Sequence, residues 1–367
     1  MKQPLHILHL SSAKSWRGGE QQIAYLATEM KRQSIPQIIA CVADAPLNEW
    51  CIKQQIPCFP YQKRASLDPI LSFRIRQLCR QQDITHIHAH DSHAHTFAFV
   101  AASIFGNQTP ILLSRRVDFP IKHSFFSHLK YNHSSIRKII CVSHSIKRVI
   151  SPVIKDSDKL TVIHSGIDVS RFQVEADDSL RATYQLNPNA KIIINVAALS
   201  VHKDHATFIR TAERLLQQRN ELVFFIVGGD AGSEQDIEAL IEEKGLNDHI
   251  FLTGYRTDIP NLLRQADVFL FTSKEEGLGT SVLDAFAAQL PVVTTAAGGI
   301  SEMVVHHETG YLAAIGDDKE LATGVTRLLE DNEQRLSYIR AASQLLTTEF
   351  THQKMASTTI ALYRTVI

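Results

Sequence analysis

Nowhere in the 367 residues is there an apolar run of the ~18 residues a membrane-spanning helix needs. The longest candidate, residues 97–105, fits a buried helix. Cysteine is sparse. Cys41, Cys51, Cys58, Cys79 and Cys141 are odd in number, include no C-x-x-C pair and all lie in the first half. That argues against a disulfide framework and for reduced thiols in a cytosolic protein. The N-terminal stretch has one lysine before a strand-like Leu5 to Leu10, with no signal-peptide layout. A cytoplasmic protein is therefore expected, either free or at the inner face of the plasma membrane. Low-complexity tracts and short internal repeats are absent as well.

Net charge is absent too, with 38 basic and 38 acidic residues, but the balance is uneven along the chain. Residues 1–165 hold 21 Lys/Arg against 10 Asp/Glu, and residues 166–367 hold 17 against 28. A surplus of 11 positive charges predicts that the first half meets something anionic. A phosphorylated acceptor and an anionic membrane surface fit. No DNA- or RNA-binding motif accompanies the charge, so nucleic acid is not among the expected partners.

The length suggests about two domains, and the pattern agrees. Short apolar strands are expected at residues 5–10, 37–42, 84–88, 111–113, 139–142 and 160–163. A second set follows at 192–196, 222–227, 250–253, 268–272 and 292–294. Helical patterns separate them, for example at 20–32, 68–82, 205–218, 233–244 and 259–266. Such alternation predicts an α/β chain of two doubly wound, Rossmann-like domains with parallel sheets covered on both faces. The boundary is expected near 166–178, where the pattern lapses. The reading assigns 1–168 to the first domain and 169–350 to the second, with a final helix in 351–367 returning to the first.

In open α/β sheets ligands sit beyond the carboxyl ends of the strands, so the strand-end loops carry the chemistry. The chain centres on Ser273 to Asp284. There an apolar strand runs into Glu276, the Gly277-Leu278-Gly279 turn and a helix from about Ser281. Glycines at a strand-to-helix turn leave amides free, and a helix start adds partial positive charge, which suits a phosphate. Glu276 and Asp284 bracket the turn and could hold opposite ends of a ligand. The plain alternative is a solvated acidic loop before an amphipathic helix.

Other loops share this character. Gly18-Gly19-Glu20 opens the first helix and permits close backbone approach to a phosphate or sugar, or is simply a tight turn. The stretch from Thr85 to His95 invites a metal reading. Its order, His-x-His-x-His-Asp, lacks a downstream partner set, and His90 is better read as one imidazole presented to a polar ligand. Arg115 and Arg116 could clamp phosphates or pair with Asp118. Lys203, in the loop after residues 192–196, could meet a diphosphate as a mobile point charge. Tyr255 and Arg256 could face a nucleobase. Asp156-Ser-Asp158 reads as a turn rather than a cation site.

These residues together resemble the retaining glycosyltransferases of GT-B fold, family 4. The likeness rests on Gly18-Gly19-Glu20, the Lys203 loop, His164-Ser-Gly-Ile-Asp168, Gly254-Tyr-Arg-Thr-Asp258, Glu276-Gly-Leu-Gly…Asp284 and Pro291-Val-Val-Thr-Thr…Gly299-Ile-Ser-Glu302. It covers nearly the whole chain and is strongest from about 190 to 315. The resemblance implies two domains facing across a cleft and transfer of a sugar from a nucleotide-sugar to an acceptor. The anomeric configuration would be retained, and neither a metal nor another cofactor would be needed. An anionic or lipid-linked saccharide is the implied acceptor, in surface-polysaccharide or lipopolysaccharide assembly.

By position, Glu276 would hold hydroxyls of the transferring sugar and Asp284 those of the ribose. Lys203 and the amides of Gly277, Leu278, Gly279 and Thr280 would meet the diphosphate. Gly18 and Gly19 would approach phosphate or sugar, with Tyr255 and Arg256 flanking the base. His90 and Arg116 complete the expected catalytic set. Departures from the family pattern are Asp284 for a glutamate, Ala198 for an arginine, Arg116 near the place of a histidine, and Ser165-Gly166 for Asn-Gly. Arg116, or Arg115, is expected to supply the charge that Ala198 lacks. Two other functions fit the fold: a non-catalytic nucleotide-sugar-binding subunit, and a nucleotide-sugar epimerase.

Overall fold

The computed structural model describes residues 4–121, 124–175 and 177–366. The chain divides into two compact units. One runs to Gly166 and resumes at His352; the other is Ile167–Thr351.

The first unit is built on seven strands: β1 (Ile7–Leu10), β2 (Gln37–Val42), β3 (Cys58–Tyr61), β4 (His86–Ala89), β5 (Ile111–Arg115), β6 (Ile136–Cys141) and β7 (Leu160–Val162). They lie in the order β3-β2-β1-β4-β5-β6-β7, every pair parallel. The second unit has six: β8 (Lys191–Val196), β9 (Leu222–Val227), β10 (Ile250–Leu252), β11 (Val268–Phe271), β12 (Val292–Thr295) and β13 (Tyr311–Ala313). Their order is β10-β9-β8-β11-β12-β13, again parallel throughout. Strands β1, β2, β9 and β11 are buried along their whole length, as expected when helices cover both faces.

Two strands were not anticipated. β3 reads Cys-Phe-Pro-Tyr and lies at the sheet edge, where Pro60 costs no ladder bond. β13, Tyr311-Leu312-Ala313, is a three-residue strand at the other sheet's edge.

Helix starts follow capping chemistry. Asp68, Asp91, Ser124, Ser143 and Asp331 each accept a first-turn amide. The last helix, His352–Tyr363, packs on Gly18–Arg32 in the first unit. Its Met355, Ala356, Ile360 and Tyr363 share a buried cluster with Ile7, Tyr25, Leu26 and Met30. Gln22 pins the end of this unit, donating to the Gly166 carbonyl at 2.8 Å and accepting its amide at 3.0 Å. Asp156 accepts the Asp158 amide at 3.0 Å, so Asp156-Ser-Asp158 is a short turn. Among the described residues no helix is long and apolar enough to cross a membrane.

Candidate active site

In the second unit the loop after β8 and the turn after β11 are neighbours because β8 and β11 pair in the sheet. Lys203 ends a short 3-10 turn, and its ammonium meets a Glu276 carboxylate oxygen. The Ser273 hydroxyl donates to that same oxygen at 2.8 Å. Glu276 is only 8% exposed, so its charge is held by partners rather than by water.

The loop backbone is stitched to the same place. Lys274 N donates to the His202 carbonyl at 2.8 Å, and the Thr272 hydroxyl to the Asp204 carbonyl at 3.0 Å. Lys274 Nζ lies 3.1 Å from Asp204, and His202 Nδ1 lies 2.9 Å from Glu275. Glu276 also carries the backbone contact that fixes the turn. A Cβ on Gly298 would lie 1.8 Å from the Glu276 carbonyl oxygen, so no other residue fits there. That oxygen accepts from Gly299 N at 3.2 Å.

Gly279 has φ +87°, a conformation that favours glycine. It precedes the helix Thr280–Ala287, whose start has no capping side chain. Gly277, Gly279 and Thr280 thus follow Glu276 directly into a helix start whose first-turn amides take no capping side chain, Gly279 itself being buried. Leu278 is 3% exposed and offers a ligand no side chain.

Asp284, one turn into the helix, is half-buried, and burial pushes its carboxyl up to about 7, with Arg171 pulling the other way. Tyr255 is 71% exposed after β10. Arg256 is held by Asp258 in two contacts of 2.8 and 2.5 Å. At the end of β8, Ala198 is exposed, so the missing arginine does not reflect a lack of room. Gly228, by contrast, is packed against that strand end: a Cβ there would lie 1.9 Å from the Ala197 carbonyl oxygen.

In the first unit the strand ends gather a different set. Register places His9 of β1 directly opposite His88 of β4. His9 Nδ1 and His90 Nε2 lie 3.0 Å apart. Arg116 donates to the His90 carbonyl at 3.2 Å and faces its Nδ1 at 3.4 Å. His88 joins Tyr363 Oη at 2.6 Å and Ser114 Oγ at 2.8 Å. Burial holds His9 down to about 3 and keeps His88 and His90 well below the usual histidine range. Burial also lowers Arg116 to about 10, opposed by the charges of Glu20 and Asp91.

His90 is thus a buried member of a network, 6% exposed, rather than an imidazole offered at the surface. His9, His88 and His90 have nitrogens within 4.8 Å of one another. Most of those nitrogens are already bonded, however, and the Arg116 guanidinium beside His90 opposes a cation.

Asp91 is consumed by structure. Its oxygens accept from Ser12 N and Ser12 Oγ at 2.6 Å each, His93 N at 3.0 Å and Ala94 N at 2.9 Å. Gly18 opens the first helix, where Glu20 accepts from Arg17 N at 3.0 Å. Nothing lies within 4 Å of a Cβ built on Gly19, so the protein itself does not demand glycine there. Arg115 turns away, stacking its guanidinium 4.8 Å over the Phe119 ring.

Sequence reasoning missed His9 and Tyr363. Both are remote in sequence and join the cluster through strand register and the returning helix. A cavity of about 760 Å³ lined by Arg214, Arg219 and Arg327 includes none of the expected residues. Of these arginines, Arg214 is committed to Asp318, and Arg219 to Glu221 and Glu330.

Two doubly wound parallel sheets, the second ending in a lysine–glutamate pair beside an uncapped helix start, define a two-domain Rossmann-like protein of GT-B fold. Comparison with known proteins makes this particular. Residues 177–345 match the family model for glycosyl transferases group 1, and residues 16–171 match that for glycosyltransferase family 4. The chain belongs to this glycosyltransferase family.

It is 21% identical over 305 residues to the N-acetyl-alpha-D-glucosaminyl L-malate synthase of Bacillus anthracis, covering 82% of this chain and 80% of that one. It is 24% identical over 294 residues to the lipopolysaccharide core biosynthesis glycosyltransferase LpsD of Rhizobium meliloti, covering 80% and 79%. Among solved structures, Anabaena Alr3699/HepE in complex with UDP and glucose superposes with a TM-score of 0.83 at 20% identity, covering 98% and 99%.

Proposed function

We propose that the protein is a retaining glycosyltransferase that takes a sugar from a nucleotide-sugar donor without a metal. The acceptor is an anionic or lipid-linked saccharide of surface-polysaccharide or lipopolysaccharide assembly. The observation that carries this is Lys203 joined to a buried Glu276 beside the open amides that follow Gly279.

Retaining transfer in which the acceptor attacks on the leaving-group face needs no covalent nucleophile. It needs the leaving diphosphate stabilised as charge develops, by groups already in place. Lys203 and the first-turn amides suit that task. Glu276 is rigidly placed to accept from sugar hydroxyls, and Asp284 from ribose hydroxyls when ionised. Tyr255 has an open aromatic face for a base, and Gly19 has open space above its backbone. Arg116 is read as the cation that compensates for Ala198. The LpsD relative and the UDP complex of HepE agree with this substrate class.

The test is a thermal-shift panel of UDP-, GDP- and ADP-sugars with EDTA present, followed by turnover with the donor that shifts. One nucleotide class should raise the melting temperature, and Glu276→Ala or Lys203→Ala should abolish the rise. No shift with any donor would overturn the reading, and a shift seen only without EDTA would overturn its metal-free part.

A further inference from the structure

The helix Phe125–Asn132 of the first unit is inside out. Its Lys130 is 6% exposed and its Tyr131 7%, whereas Phe125 is 85%, Phe126 47% and Leu129 46% exposed. The buried ammonium is fixed there, donating to Thr96 Oγ1 at 3.1 Å and the Ser92 carbonyl at 3.3 Å. A helix facing water alone would show the reverse arrangement. Six residues before it, Phe119 is a further 55% exposed.

The C-terminal end of the helix adjoins the Lys159 ammonium and the backbone of a second lysine, Lys155. Lys155 N donates to Asn132 Oδ1 at 2.7 Å, and Lys159 Nζ to the His133 carbonyl at 3.4 Å. Residues 110–165 carry ten Lys/Arg against three acids, Asp118, Asp156 and Asp158.

We infer that this helix face docks the protein on an anionic lipid bilayer, with Phe125, Phe126 and Leu129 entering the boundary between headgroups and acyl chains. Aromatic and aliphatic side chains on one face with lysines at its margin are what interfacial binding requires. Each basic residue near the surface adds attraction to acidic lipid. A second copy of this chain fits less well, since lysine is depleted at protein–protein interfaces. The inference goes beyond the proposed reaction and is tested without donor or acceptor.

The full chain is floated with vesicles containing about 30% phosphatidylglycerol, and with pure phosphatidylcholine vesicles, at about 0.1 M and about 0.5 M salt. Wild type should float with the acidic vesicles at low salt and lose at least about tenfold in partition on either change. Phe125→Ser with Phe126→Ser should lose about as much, and so should Lys155→Glu with Lys159→Glu. Both variants should keep wild-type melting and any donor-induced thermal shift. Leu129→Gln alone serves as the apolar arm if the double variant fails to fold.

Absence of flotation by wild type would overturn the inference, as would flotation indifferent to both pairs of changes. Sedimentation showing a wild-type dimer that Phe125→Ser dissolves would overturn it as well. Loss of flotation with an intact donor shift, or the converse, separates this inference from the catalytic one.

Discussion

The two units share one architecture and organise their strand ends by opposite means. In the second, side-chain links around Lys203 and Glu276 are joined by close backbone packing: Gly228 and Gly298 sit where a Cβ would strike a carbonyl oxygen, and Gly279 supplies a positive φ. In the first, side chains from β1, β4, β5 and the last helix hold one another in a buried network centred on His88, His90 and Arg116. Backbone positioning leaves amides open for a ligand. Side-chain positioning consumes its own hydrogen-bonding capacity and depends on its imidazoles staying neutral beside the Arg116 cation.

The largest effect that would test this contrast lies in the ion pair. Glu276→Gln or Lys203→Ala should lower turnover by about 10²–10³, the usual loss when a preorganised charge-stabilising group is removed; melting should change little in Glu276→Gln and fall in Lys203→Ala, which leaves the buried carboxylate without its cation. Equal turnover by single-turnover assay would remove both residues from the mechanism.

Glycine substitutions sharpen the comparison next. Gly298→Ala should destabilise the second unit by about 3 kcal/mol, through overpacking and its φ of +53°. Gly19→Ala should leave stability within about 0.5 kcal/mol and weaken only donor-dependent activity. Denaturant melts of the two proteins read the difference.

Acid should weigh more heavily on the first unit, where burial lowers His9, His86, His88, His90 and His95, than on the second, where it holds His205 down to about 4. His9, His88 and His90 have folded pKa values below the unfolded value near 6.5, so the unfolded chain binds more protons. Their neutral burial is free of cost above about pH 6.5, and stability falls as pH drops below it. Each histidine still neutral at pH 5 costs about 2 kcal/mol there. The two tryptophans, Trp16 and Trp50, both lie in this unit, so fluorescence follows it alone. An unchanged urea midpoint between pH 7.5 and 5 would break this account.

Arg116→Ala is expected to lower turnover about tenfold if it compensates for Ala198, and turnover within about twofold of wild type would end that idea. The smallest effect is at Asp284. Its carboxyl titrates near 7 folded and near 3.8 unfolded, so its burial costs stability increasingly from pH 3.8 up to 7 and fully above. Asp284→Asn removes a cost of up to about 4 kcal/mol at pH 8 but leaves a half-buried amide in its place, so a net gain of about 1–2 kcal/mol is expected while nucleotide binding weakens, and at pH 4 the gain in melting temperature should vanish.

The difference in positioning also decides what was legible. Glu276, the two glycines and Asp284 are contiguous, so strand, turn and helix could be read straight along the chain. Buried strands such as Leu222–Val227 announced themselves as unbroken apolar runs, and two parallel sheets followed. The alternation His86-His88-His90 was visible, but not what those rings face. His9 joins through β1–β4 register, Tyr363 through a helix more than 270 residues away, and Asp91 spends its carboxylate on four donors. Distance in sequence, not weakness of interaction, hid that half. The inverted helix was hidden for another reason: Phe-Phe beside lysine reads as an ordinary amphipathic segment until Lys130 is seen underneath.

The returning helix has a consequence for synthesis. Ile167–Thr351 is one continuous stretch, whereas the first unit is assembled from both sides of it. The earlier-made half must wait. Until the last residues arrive, Tyr25, Leu26 and Met30 lack their covering of Met355, Ala356 and Ile360, and His88 lacks Tyr363. Domains made first usually fold first; here the first-made half is completed only by its returning helix, and a chain cut off at Thr351 would carry the whole second unit behind an uncovered first one.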